Sequence, residues 1–221
     1  MFIPLKDINP SRSYPFINIT LILANIAVFL YQIDLQLMLS PRGYEAFIYS
    51  HSTVPVRFLS LLAGHTNFSV AFVPLLTSMF LHSGVLHIGG NMLFLWIFGD
   101  NVEDYFGHLG YLVFYIVCGI GSGLCHSLFN LHSNLPALGA SGAISGVMGA
   151  YILLYPRARV LTLVFIFLLP IPAVFVLGEW FIVQFLSGIH TLGTGTSGGV
   201  AWLAHIGGFL LGMLITAVVR K

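Results

Sequence analysis

Six stretches of the chain are long, apolar and free of lysine and arginine: residues 16–33, 84–98, 109–129, 138–155, 160–186 and 200–219. Glu179 is the only carboxylate in them. A helix crosses the hydrocarbon core of a bilayer, ~30 Å thick, with about 20 such residues. In lipid every backbone polar group must be satisfied inside the protein, which leaves helices or closed barrels. Runs of this length point to helices. The rest of the composition agrees: 7% of residues are charged and mean hydropathy is +0.96, against about 25% charged in soluble domains. The expectation is an all-α membrane protein of six transmembrane helices, one domain over residues 1–221. A second span starting further back, near Leu75, is also compatible with the pattern.

Several function classes drop out at this point. The formal net charge is +1, so no basic surface suggests nucleic acid as a partner. Cys118 and Cys125 lie in one apolar run and read as reduced core residues rather than a disulfide framework. No cofactor motif is present. The N-terminus, MFIPLKDINPSRSYPF, is polar and proline-punctuated. No small-residue cleavage site follows the first apolar run, which therefore reads as a retained span. Residues 34–83 form a long first loop that mixes apolar and polar residues, as in HSTVPVRFLSLLAGHT. Short helices lying in the membrane interface are expected there.

Basic residues set the orientation. With six spans both termini share a side, and that side receives Lys6, Arg12, Arg157, Arg159, Arg220 and Lys221. The other side receives Arg42 and Arg57. Both termini are thus expected in the cytoplasm, with the protein in a cell membrane.

Ionisable residues inside spans are costly and are functional candidates by default. Ser141 lies 16 residues before Arg157, and His205 lies 15 before Arg220. At 1.5 Å per residue both sit roughly 22–24 Å above the cytoplasmic boundary. His87, 13 residues before Asp100, sits about 20 Å up. Small residues let membrane helices approach closely. Ser141, Ser145 and Gly149 form one stripe on the fourth span, with Gly142 and Gly146 beside it. On the sixth span His205, Gly208 and Gly212 share a face, and on the second His87 and Asn91 do.

A serine hydroxyl is a weak nucleophile until a base takes its proton. With no aspartate at this level, a serine–histidine dyad of Ser141 and His205 is the expected arrangement. A tetrahedral intermediate also needs preorganised donors. His87, Asn91 and the backbone N–H of Ser141 are the candidates, and Ser141 is expected to open its helix. Ser145, a turn deeper, reads as packing. His87 has no histidine at i+4 and no carboxylate beside it, so no metal is expected.

Three motifs, HSGVLHIGGN at 82–91, GASG at 139–142 and AHIGG at 204–208, resemble the rhomboid intramembrane serine proteases. The N-terminal stretch IPLKDINPSRSYPFINITLILANIAVFLYQ is similar to bacterial members, and the likeness runs through nearly the whole chain in the right order. It implies a six-helix rhomboid-like bundle with a water-filled cavity open to the outside. It implies Ser141 as nucleophile, His205 as general base and acid, and His87 with Asn91 in the oxyanion hole. His82, Gly139, Gly142 and Gly208 are supporting positions. Implied substrates are single-span membrane proteins cut in or near their membrane segment, within the lipid bilayer and without a cofactor. Two departures stand out. Some members carry a tyrosine where this chain has Ser145, so support for His205 must come from elsewhere. The tryptophan–arginine pair of some first loops is missing from AFVPLLTSMF.

The remaining features have structural readings. Pro170 and Pro172 are expected to kink the fifth helix, the substrate gate implied by the resemblance. Glu179, 20 residues past Arg159, is expected about 30 Å up, at the outer interface. Asp100, Glu103 and Asp104 should cap, anchor or pair at the end of the second span. The glycine-rich loop at 187–199 is the other candidate for the gate, as a mobile lid. A catalytically silent escort protein of the same fold is the alternative. A transporter would show paired inverted halves, which are not evident.

Overall fold

The computed structural model describes residues 2–194 and 200–220. Its elements, in chain order, begin with strand β1 (Ile3–Asp7) and helices α1 (Phe16–Met38), α2 (Pro41–His51) and α3 (Val56–Leu62). Helix α4 (Phe68–Thr77) runs into a 3-10 turn (Ser78–Phe80), followed by α5 (Val85–Phe106), α6 (His108–Phe129) and α7 (Ser141–Leu154). Strands β2 (Arg159–Val164) and β3 (Phe167–Pro172) precede α8 (Ala173–Thr194) and α9 (Trp202–Val219). Helices α1, α6, α8 and α9 are each long and apolar enough to cross a membrane. The α4 segment and α5 pass that test as a pair bent by 81°. The second span thus includes α5, with the bend between Phe80 and Val85 where the chain turns into it, and α2 and α3 are short helices of the first loop.

The helices are turned to suit lipid. On α1 the buried residues include Asn18, Asn25 and Gln32, while Leu23 and Leu30 face outward. At the centre stands α7. Its 14 residues make a helix of ~21 Å, shorter than the hydrocarbon core, and every residue from Gly142 to Tyr151 is buried. It packs backbone to backbone on α9. A Cβ at Gly208 would overlap the carbonyl oxygen of Gly142, and one at Gly212 that of Gly146.

The end of the bundle that carries both termini is tied together by acids of α5. Glu103, fully buried, accepts from the backbone N–H groups of Ile17 (3.0 Å) and Asn18 (2.7 Å) and pairs with His108 Nδ1 at 2.5 Å. It thus satisfies the open first turn of α1. Asp104 accepts from the N–H groups of Arg12 and Ser13 and from the Ser13 hydroxyl. Gly107, at φ 70°, lets the chain reverse from α5 straight into α6. The Arg220 guanidinium donates to Leu153 O at 2.9 Å, which sets the C-terminal end of α9 beside that of α7.

The fifth span departs from expectation. Residues 159–172 form a hairpin that joins β1 in an antiparallel sheet of order β1-β2-β3. Pro170 and Pro172 lie in β3, where their missing N–H groups are tolerated at an edge, and they kink no helix. The helical span begins only at Ala173. Glu179 is then about 9 Å from the start of α8 by helical rise, not at the outer interface. The expected lid is also different: residues 187–194 continue α8, and 195–199 lie outside the described residues.

Candidate active site

The chain reaches α7 through an extended approach pinned on both sides. Thr53 and Ala137 exchange two backbone hydrogen bonds, and Gly139 N–H donates to Ser78 O at 2.8 Å. Gly139 sits at φ +125°, and a Cβ there would lie 2.8 Å from two atoms of the His87 ring. Only glycine fits both the conformation and the space. Ser141 is the next residue but one and opens α7. The first N–H groups of a helix have no intrahelical acceptor, so they stand ready for an anion.

Ser141 Oγ and His205 Nε2 are 2.7 Å apart. Three features hold the histidine. The glycine contacts press α9 onto α7. Ser122 on α6 donates to Ala204 O at 2.8 Å, one residue before the histidine. From α8, Gln184 Oε1 lies 2.7 Å from His205 Nδ1, and the Trp180 ring packs against the imidazole, tilted by 38° with centroids 6.0 Å apart. Ser145 is buried beneath, its hydroxyl donating to Ser141 O at 2.6 Å. That bond commits it to the helix backbone.

A second pair of groups converges on the same place. His87 Nδ1 faces both the Ser83 backbone N–H (3.4 Å) and the Ser83 hydroxyl (3.0 Å). A backbone N–H can only donate, so Nδ1 accepts and the neutral ring carries its proton on Nε2. That nitrogen points toward Gly139. Asn91, one turn on, is buried, and its amide nitrogen has no partner among the described residues. An unpaired buried donor costs ~1–3 kcal/mol, which calls for an explanation in function. His82 is buried edge-on to His87 with centroids 5.1 Å apart. Gln32 grips its backbone at both ends: His82 N–H donates to Gln32 Oε1 (2.9 Å), and Gln32 Nε2 donates to His82 O (3.2 Å). Behind Ser141 a cavity of about 40 Å³ is bounded by Thr53, Ser78, Ser122, His126 and Ala204 among others. Among the described residues no group of three or more His, Cys, Asp or Glu is placed to hold a metal.

The fold thus brings Ser141, His205, His87 and Asn91 to one locus from α7, α9 and α5. Gly142 lies where a Cβ would overlap the Ser122 hydroxyl, and Gly208 lies against Gly142. Residues that sequence reasoning passed over are Gln184, Trp180, Ser83 and Gln32. Asn18, Asn25 and Gln32 recur every seven residues on α1, a visible stripe. Gln184 carries no such periodic signal.

The Rhomboid domain family matches residues 70–221. Rhomboid protein 1, mitochondrial, of Saccharomyces cerevisiae is 32% identical over 156 residues, 67% of this chain and 42% of that protein. Rhomboid protease AarA of Providencia stuartii is 28% identical over 214 residues, 90% of this chain and 71% of that protein. Rhomboid protease GluP of Bacillus subtilis is 41% identical over 76 residues, 34% of this chain and 14% of that protein. The match thus spans less than half the length of the yeast relative.

Proposed function

We propose, for a chain that belongs to the rhomboid family, the activity of an intramembrane serine endopeptidase with Ser141 as nucleophile and His205 as general base. The observation that carries this reading is the 2.7 Å contact between Ser141 Oγ and His205 Nε2 across the α7–α9 seam. His205 Nε2 takes the hydroxyl proton as Oγ attacks the scissile carbonyl carbon. The resulting oxyanion accepts hydrogen bonds from His87 Nε2–H, the Asn91 amide and the Ser141 N–H. The intermediate collapses, and His205 passes its proton to the leaving amine, which leaves an ester on Ser141. Water then attacks the ester, with His205 again as base. The cavity behind Ser141 is roomy enough for one water, which needs ~10–15 Å³ of such volume.

The substrates on this reading are single-span membrane proteins, cut in or near the spanning segment while in the bilayer. A helical substrate hides its carbonyls, so helix-destabilising residues near the cut favour attack. The excess of lysine and arginine at the end with both termini supports a cytoplasmic location for that end, which opens the site toward the outer side of a bacterial inner membrane. A silent escort protein of the same fold would have no use for an unpaired Asn91 amide facing a serine–histidine pair.

The test is cleavage of a reconstituted single-span substrate in proteoliposomes. Wild-type protein is expected to cleave it, and Ser141→Ala is expected to abolish cleavage while leaving the thermal midpoint unchanged. Full activity in Ser141→Ala would overturn the reading.

A further inference from the structure

The nucleophile and the base sit on α7 and α9, but the group that orients the base sits on neither. Gln184 projects from α8 and is 7% exposed. Its Oε1 lies 2.7 Å from His205 Nδ1. An amide oxygen has only lone pairs to offer, so Nδ1 must carry the proton and donate it. The neutral ring then has a bare Nε2, and that atom faces Ser141 Oγ. With the opposite tautomer, Nε2–H would point at Oγ and could accept nothing from it. Apart from Gln184 and Ser141, the imidazole is flanked by two indoles. Trp180 lies tilted against it and Trp202 edge-on at 6.3 Å, and among the described residues the hydrogen-bond partner of Nδ1 is Gln184. The titratable groups that act on it electrostatically are His87 of α5 and His126 of α6.

We propose that Gln184 is a positioning residue, whose side-chain oxygen holds His205 in the tautomer that leaves Nε2 free to take the Ser141 proton. The inference rests on the protease reading and deepens it. Gln184 stands where the third member of a serine–histidine–carboxylate triad would orient its histidine, but as a neutral amide it sets the tautomer without adding a charge to the membrane interior. Because the acceptor rides on α8, the ring is oriented only while α8 stays docked on α9.

The test has two readouts on the full chain in lipid. The first is 15N-histidine NMR, with the His205 signal assigned by its loss in His205→Ala. The wild type is expected to show a protonated Nδ1 and a bare Nε2, and Gln184→Leu is expected to show mixed or reversed tautomers. A wild-type ring protonated on Nε2 would overturn the proposal, whether or not the protein proves to be a protease.

The second readout is kinetic, on a reconstituted single-span substrate. Acid–base groups contribute ~10²–10⁴-fold in total, so Gln184→Leu and Gln184→Met are expected to lower kcat by ~10–100-fold with KM unchanged. Gln184→Glu restores the acceptor and is expected to recover most of kcat. It should also move the acidic limb of kcat/KM to higher pH, because a carboxylate at Nδ1 favours the protonated ring. If Gln184 only fills space, Gln184→Met keeps full activity, Gln184→Glu is the damaged variant, and the proposal fails.

Discussion

The two ends of the bundle treat buried polar groups in opposite ways. At the end that carries the termini, Glu103 is fully buried and uses both carboxylate oxygens, on Ile17, Asn18 and His108. Asn101, beside it, pairs with Asp7, Asn9 and Asp100. At the other end the Asn91 amide nitrogen is buried without a partner among the described residues. Satisfied networks hold a structure together, whereas unsatisfied ones cost free energy unless something else fills them. One end therefore reads as an anchor and the other as a site kept open for chemistry.

Substitutions can break this contrast in order of effect. His205→Gln should lower kcat by at least ~10⁴-fold with no change in the thermal midpoint, measured on the same preparation. Asn91→Ala should lower kcat by about 10²–10³-fold, the usual loss for one oxyanion donor. Its midpoint should hold or rise, since an unpaired donor has been removed. A fall in both would place Asn91 with the anchor instead. Glu103→Ala should do the reverse. It should cost about 3 kcal/mol of stability by leaving two N–H groups of α1 without acceptors, with kcat per folded molecule unchanged. Chemical denaturation in mixed micelles reads this directly.

The smallest effect concerns pH. Burial pushes the Asp7 carboxyl up from 3.8 to about 6, against the Tyr151 hydroxyl and Lys6, which favour its charged form, and with Asp100 adding repulsion. The folded chain thus binds a proton between pH 4 and 6 that the unfolded chain lacks. This contribution is fully present below pH 4 and is lost as pH rises through about 6. Asp7→Asn mimics the protonated group and keeps an acceptor for Tyr151 and Asn101. It should gain ~1 kcal/mol at pH 7.5, well under the fully buried value because water reaches the carboxyl, and nothing at pH 3.5. Equal gains at both pH values would show that Asp7 is not titrating in this way.

Much of the arrangement was legible in the residues. Ser141, His205 and His87 stand out because ionisable and hydroxyl groups are rare in apolar spans, and their levels follow from the rise of a helix. The glycine stripes announced the α7–α9 contact for the same reason. The hairpin at 159–172 was not legible, since it runs without a break into the apolar residues of α8, and a continuous apolar run does not by its pattern distinguish a buried helix from a strand. What decides it is pairing with Ile3–Asp7, more than 150 residues away along the chain. That same shift moved Glu179 and brought Gln184 to the level of His205. Gln184 itself is one amide in an apolar helix, with nothing in its sequence neighbours to mark it.

The central claim is that Ser141 alone is activated, and by His205. A fluorophosphonate probe applied to the full chain in lipid, followed by peptide mass spectrometry, tests it most directly. A single adduct on Ser141, absent in His205→Ala and with Ser145 unmodified, is the predicted result. An adduct on Ser145, or cleavage of a membrane substrate with Ser141 unlabelled, would contradict it.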